Sequence, residues 1–256
     1  MLPRPKKRLG QHFLTDRHYL ERIVAAIDPR PDDPMVEIGP GPGALTERLA
    51  AIVRPLHVVE IDRELAAGLR ARFGPQEVVV HEGDALEFDF ASLPEGLRVV
   101  GNLPYNVSTP LLFRVAAFAG RIRDCVFMLQ REVVERMVAE PGTPAYGRLS
   151  VMLQYRFAME SAFRVPPGAF TPPPKVDSAV VRMVPLGEER PAARDEALFA
   201  RLVMAAFTQR RKTLRNALRG LAGEDAFAAA GIDPGLRGEV LPVARFVRLA
   251  DAAAAP

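Results

Sequence analysis

Asn102, Leu103, Pro104 and Tyr105 stand together directly after the largely apolar run 97–101, and these side chains suit the holding of an aromatic amine. An amide oxygen and the carbonyl of the residue before a proline are both acceptors, and a tyrosine ring beside them offers a flat face on which a base can stack. Acceptors placed on both N–H bonds of an exocyclic amine turn its lone pair toward an incoming electrophile, so orientation does the work of a strong base. Pro104 stiffens the bend by fixing its own φ. At this level adenine, cytosine and the amide of glutamine all remain possible acceptors.

The elements that must position these residues follow from the hydrophobic pattern. Residues 15–27 read as an amphipathic helix with Thr15 and Asp16 as cap candidates. Segments 35–38, 56–62, 77–81, 97–101 and 124–129 read as strands, with helical stretches at 44–50, 63–73 and 109–118 between them. That alternation predicts right-handed crossovers and a mostly parallel sheet. After helical stretches at 130–139 and 149–157, residues 162–167 and 176–185 read as an antiparallel pair joined by the proline-rich turn 170–174, closing the sheet with a reversed strand. Residues 185–191 read as a linker and the remainder as helical. The expected organisation is an α/β domain over 1–187 and a smaller all-helical domain over 188–256.

The first strand ends in Gly39-Pro40-Gly41-Pro42-Gly43, and Glu60 follows 21 residues after Gly39 at the end of the next strand. A strand, a glycine turn, a helix and a later carboxylate that can accept from ribose hydroxyls form the shared signature of nucleotide-type cofactor sites. Each proline removes a backbone N–H from the turn, which makes it poor for a pyrophosphate. S-adenosylmethionine, which carries adenosine and a sulfonium but no phosphate, fits better than a nicotinamide dinucleotide. Asp84 follows the third strand, where its carboxylate can accept from the adenine amine. Gly39, Glu60, Asp84 and Asn102 thus sit at the carboxyl ends of successive strands and face one crevice.

With 48% apolar and 25% charged residues and no apolar run of membrane length, the chain reads as a soluble protein. Its basic N-terminus lacks the apolar core of a signal peptide, so a cytoplasmic location is expected. Cys125 has no second cysteine to pair with, and the four histidines are too scattered to suggest a metal site. Arg4, Lys6, Lys7 and Arg8 crowd one end, and Arg210, Arg211, Lys212 and Arg215 crowd a stretch near the other.

Taken together, the segments 8–14, 36–41, 60–62, 101–110, 146–151, 170–181 and 209–216 resemble the KsgA/RsmA-type small-subunit ribosomal RNA adenine dimethyltransferases. The resemblance runs through nearly the whole chain. It implies a Rossmann-like methyltransferase sheet and four methyl transfers from S-adenosylmethionine, giving N6,N6-dimethyladenosine at two adjacent adenosines in the 3′-terminal hairpin of 16S rRNA. Carried onto this sequence, the cofactor contacts are His12, Leu14, Gly39, Glu60, Asp84 and Asn102; position 12 is often asparagine in the family, and its backbone would face the methionine part of the cofactor. Phe170 is implied as a second aromatic near the target base. The C-terminal basic residues, placed together on one helix, would bind RNA backbone along with the N-terminal cluster. The implied partners are the rRNA and the assembling 30S particle, with the enzyme as a monomer and no membrane or metal. Competing readings are a large-subunit rRNA adenine methyltransferase of the antibiotic-resistance type, and an assembly factor whose binding is its main service.

Overall fold

The computed structural model describes residues 5–6 and 10–254. Clustering of contacts divides the chain into two compact units, one of residues 1–134 with 158–185 and one of residues 135–157 with 186–256.

In the first unit a short strand β1 (Phe13–Leu14) leads into α1 (Arg17–Ile27), whose first backbone N–H groups are capped by Asp16. There follow β2 (Met35–Ile38), α2 (Ala44–Ala50), β3 (Leu56–Glu60), α3 (Arg63–Arg72), β4 (Val78–Glu82), β5 (Leu97–Asn102), α4 (Ser108–Ala117) and β6 (Ile122–Gln130). The chain then enters α5 (Arg131–Met137) and α6 (Arg148–Gln154), and returns through β7 (Phe157–Val165), β8 (Phe170–Thr171) and β9 (Ser178–Pro185). The seven-stranded sheet has the order β4-β3-β2-β5-β6-β9-β7. Strands β4, β3, β2, β5 and β6 run parallel, while β9 lies antiparallel to β6, the expected reversed strand. The connection 166–177 is more than a turn, because β8 inside it pairs antiparallel with β1, setting Leu14 opposite Phe170. This is the Rossmann-like α/β architecture expected of a methyltransferase.

The order of strands reverses between β2 and β5, which leaves a crevice beyond their carboxyl ends. Close approach at this point requires glycine: a Cβ on Gly101 would fall onto the carbonyl oxygen of Ile38 in β2. One core, including Leu20, Ile23, Leu49, Val58, Val100 and Val180, packs α1 and α2 against the sheet.

The second unit adds α7 (Glu196–Thr208), α8 (Leu214–Ala217), α9 (Glu224–Ala230) and α10 (Val243–Ala253). Its extent differs from the expected boundary at 187/188. Tyr146, Val151 and Tyr155 are buried in one cluster with Phe199, Leu202, Phe246 and Leu249, so residues 135–157 pack with the C-terminal helices. The Tyr146 hydroxyl donates to the Leu241 carbonyl at 2.8 Å, and Tyr155 stacks on Phe199 with ring centroids 4.3 Å apart. The basic residues of this unit do not share one helix. Arg210, Arg211 and Lys212 occupy the turn after α7, and Arg215 lies in α8.

Candidate active site

The crevice at the carboxyl ends of β2 and β5 is a cavity lined by the glycine turn, by Glu37, Glu60 and Asp84, by residues 101–107 and by the N-terminal segment 10–14. In the turn, Gly39, Gly41 and Gly43 have φ of +66°, +58° and +87°, where a side chain would be strained. Their N–H groups are spent within the protein. Gly39 donates to the Val59 carbonyl at 2.9 Å, Gly43 to the Pro40 carbonyl at 3.0 Å, and Gly41 to Glu60 Oε2 at 3.0 Å. Pro40 and Pro42 have no N–H to offer.

Glu60 is 4% exposed and accepts the Asp62 N–H at Oε1 (2.9 Å) as well as Gly41 at Oε2. Burial raises its carboxyl above the ordinary value. Each oxygen keeps a lone pair for a further donor, as two vicinal hydroxyls would require. Behind it Glu37, 2% exposed, accepts the Thr46 hydroxyl at 2.6 Å. Burial pushes Glu37 up to about 8, against that hydrogen bond and reinforced by the charge on Glu60. Among the described residues no Lys or Arg lines the cavity. A pocket with acidic walls and no free backbone donors at its turn suits a cationic ligand without phosphates, and disfavours a pyrophosphate.

Asn102 ends β5, and its Nδ2 donates to the main-chain carbonyl of His12 at 3.1 Å. With the amide nitrogen held there, Oδ1 is left as an acceptor. Leu103 is buried and tied to β6 through its N–H, which donates to the Met128 carbonyl at 3.1 Å. Among the described residues neither Asn102 Oδ1 nor the Leu103 carbonyl has a protein donor. The two acceptors expected from the sequence are therefore open. Tyr105 is half-buried, and its hydroxyl lies 2.6 Å from Ser178 Oγ, which fixes the ring.

Leu14 is buried in the cavity wall, and Asp84 sits at its exposed rim with Oδ1 accepting the Leu86 N–H at 2.9 Å. Phe170 is placed differently from the rest. It is 3% exposed, packed in the core with Val165 and Val180, and does not line the cavity. The ring found against Tyr105 is that of His12, with centroids 5.6 Å apart.

This site lies in a chain whose residues 3–255 match the family model described as ribosomal RNA adenine dimethylase. The chain belongs to that family. The chain is 61% identical over 252 residues to ribosomal RNA small subunit methyltransferase A of Aromatoleum aromaticum, covering 98% of this chain and 95% of that protein. The same-named protein of Chromobacterium violaceum is 59% identical over 248 residues, covering 96% and 95%. Among solved structures, a Plasmodium falciparum dimethyladenosine transferase shares the fold (TM-score 0.79, 24% identity, 93% of this chain and 96% of that one). The 23S rRNA methyltransferase ErmE superposes with TM-score 0.72 at 29% identity, covering 94% and 98%. Membership of the family implies an S-adenosylmethionine-type methyl donor.

Of the basic residues in this chain, Arg4, Lys7 and Arg8 lie outside the described residues. Lys6 is engaged internally: its Nζ stands 2.8 Å from Asp62 Oδ1 and 3.1 Å from Glu64 Oε2. Gln11 Nε2 also donates to Asp62, at 3.2 Å. Burial alone would raise Asp62, but the hydrogen bonds from Lys6 and Gln11 hold it below the ordinary carboxylate range. Arg210 donates to the carbonyls of Pro144 and Tyr146 at 2.6 and 3.1 Å, and Arg215 forms a two-pronged pair with Glu224 at 2.7 and 3.1 Å. Arg211 and Lys212 are exposed, with no ion-pair partner among the described residues. Sequence reasoning passed over Gln11, Glu37, Asp62 and Ser178. The acidic doublet Glu60-Ile61-Asp62 carried a signal for Asp62; nothing local marks Ser178, 73 residues from the tyrosine it holds.

Among the described residues there is no cluster of three or more metal-ligating side chains. No helix there is long and apolar enough to cross a membrane.

Proposed function

We propose that the protein transfers methyl groups from S-adenosylmethionine to N6 of two adjacent adenosines in the 3′-terminal hairpin of 16S rRNA, giving N6,N6-dimethyladenosine during small-subunit biogenesis. The observation that carries the reading is the clamped Asn102 amide, whose free Oδ1 stands beside the free Leu103 carbonyl at the edge of an acidic cavity. When bound, the cofactor supplies an electrophilic methyl group on a cationic sulfur. Glu60 takes the ribose hydroxyls and Asp84 the adenine amine, while Gly39, Leu14 and the His12 backbone border the rest. Asn102 Oδ1 and the Leu103 carbonyl accept the two N–H bonds of the target amine and rotate its lone pair toward the methyl carbon. Pro104 holds the bend, and Tyr105 stacks the extruded base.

Identity of 59–61% to proteins named small subunit methyltransferase A, against 29% to the large-subunit enzyme ErmE, supports the small-subunit substrate. The reading carries with it a cytoplasmic, monomeric enzyme acting on the assembling 30S particle. Arg211 and Lys212, with Arg4, Lys7 and Arg8 outside the described residues, would contact RNA phosphates, while Lys6, Arg210 and Arg215 would first have to give up their partners within the protein. Phe170 acts behind the site, through the β1–β8 pair that directly follows His12. The test is incubation of undermethylated small subunits with labelled S-adenosylmethionine, followed by mapping of the modified bases. Wild type should label two adjacent adenosines, and Asn102→Ala should lose transfer by at least about a hundredfold while still binding the particle. Labelling confined to large subunits, or near wild-type transfer by Asn102→Ala, overturns the proposal.

A further inference from the structure

The imidazole of His12 lies over the Tyr105 ring, with centroids 5.6 Å apart and planes 24° from parallel. Its Nδ1 is 2.9 Å from the Pro172 carbonyl oxygen. Since that carbonyl can only accept, Nδ1 carries the proton in this contact. A base stacked on Tyr105 sits at about 3.5 Å, and a ring covering its far side would stand about 7 Å from the tyrosine. A separation of 5.6 Å has no room for a third ring. The target base and the His12 ring therefore cannot both occupy this face.

The main chain of His12 is held by partners separate from those that hold its ring. The His12 carbonyl accepts from Asn102 Nδ2, and the next residue, Phe13, is paired with Thr171 across β1 and β8. Rotation about χ1 would cost the ring its Pro172 contact and its overlap with Tyr105, leaving the backbone where it is. We propose that the His12 imidazole is a stand-in for the target base, covering Tyr105 while the pocket is empty and swinging off as adenine enters, while its carbonyl keeps Asn102 aimed throughout. The inference rests on the reading of this pocket as an adenine site. It makes residue 12 a positioning residue with two separable parts, a fixed carbonyl and an exchangeable ring. Dimethylation demands two visits of the same base, or one long one, and a ring that re-covers Tyr105 between visits shields an apolar face from water each time.

The resting arrangement is tested in the free protein by NMR of labelled histidines. There are four to follow, and His12→Asn identifies the His12 signal. The ring current of Tyr105 should displace the His12 resonance, and Tyr105→Leu should return it to the position of an exposed histidine. An undisplaced His12 signal in wild type overturns the stacking. The exchange is tested kinetically on undermethylated small subunits. Removing the ring in His12→Ala and His12→Asn should lower KM for the particle about twofold to tenfold, the factor for a stacked aromatic contact that no longer has to be broken. His12→Phe, which restores a ring, should raise KM again. An unchanged or higher KM in both ring-less variants overturns the proposal. Failure of wild type to methylate small-subunit adenosines would instead overturn the adenine reading on which it rests.

Discussion

At the amino ends of the strands, Arg98 is 3% exposed and fully answered: it reaches Asp33 at 2.6 Å, Asp124 at 2.7 Å, and the carbonyls of Ile27 and Asp28. At the carboxyl ends of the same sheet, Glu37 and Glu60 are equally buried, and among the described residues no cation pairs with either. One end joins α1 to β5 and β6 by matched charge. The other holds two carboxyl groups with no cation beside them, Glu37 protonated up to about 8 and Glu60 raised by burial, and any charge they carry has a cost in stability that a cationic ligand can offset. The contrast separates what holds the fold from what the fold holds ready.

The largest effect should come from the matched end. Arg98→Met leaves Asp33 and Asp124 with only the exposed cations Arg123 and Arg182, besides the Arg30 N–H that Asp33 accepts, and urea unfolding should show a loss of ~3–5 kcal/mol. A loss below about 1 kcal/mol would mean the network is not a stabilising one. The unmatched end should behave oppositely. The folded protein keeps Glu37 protonated up to about 8, whereas the unfolded chain releases that proton near the ordinary value, so stability falls as pH rises between the two. Glu37→Gln should then gain on the order of 4 kcal/mol at pH 8 and little near pH 4.5. Equal thermal shifts at both pH values would break the comparison.

Glu60→Gln sharpens it further, since losing a charge-assisted contact to the ribose should weaken calorimetric binding of S-adenosylmethionine ~10- to 100-fold. The smallest effect belongs to an exposed pair at the same end. Arg70 stands 2.9 Å from Glu82 with both side chains substantially exposed, and Arg70→Ala should change stability by less than about 1 kcal/mol. A larger change would show that exposure, rather than the end of the sheet, fails to sort these charges.

Much of this was legible along the chain. Period-two and helical patterns placed Gly39, Glu60, Asp84 and Asn102 at four strand ends because local spacing dictates where strands stop. The prolines of the glycine turn also foretold its phosphate-poor character, which depends on covalent structure alone. Other features depended on partners far away. Phe170 is implied by the resemblance as a loop aromatic near the target base, but pairing of β8 with β1 turns it into the core. Lys6 reads as free positive charge until Asp62, 56 residues on, takes it up. Arg210 to Arg215 read as one helical run, yet the chain turns after Thr208. Residues 135–157 read as part of the first domain because nothing in their own pattern says which core will receive Tyr146 and Tyr155.

By itself the sequence determined the order of strands and helices, the donor-poor glycine turn and the Asn102–Tyr105 segment at a strand end, because each arises from neighbouring residues and backbone covalency. Only the tertiary structure decided which way the Asn102 amide faces, which ring lies on Tyr105, and which buried charges are answered. Those outcomes are set by groups far apart in the chain meeting in space, as Arg98 meets Asp124, Asn102 the His12 carbonyl, and Tyr105 the His12 ring. No local pattern encodes such a meeting.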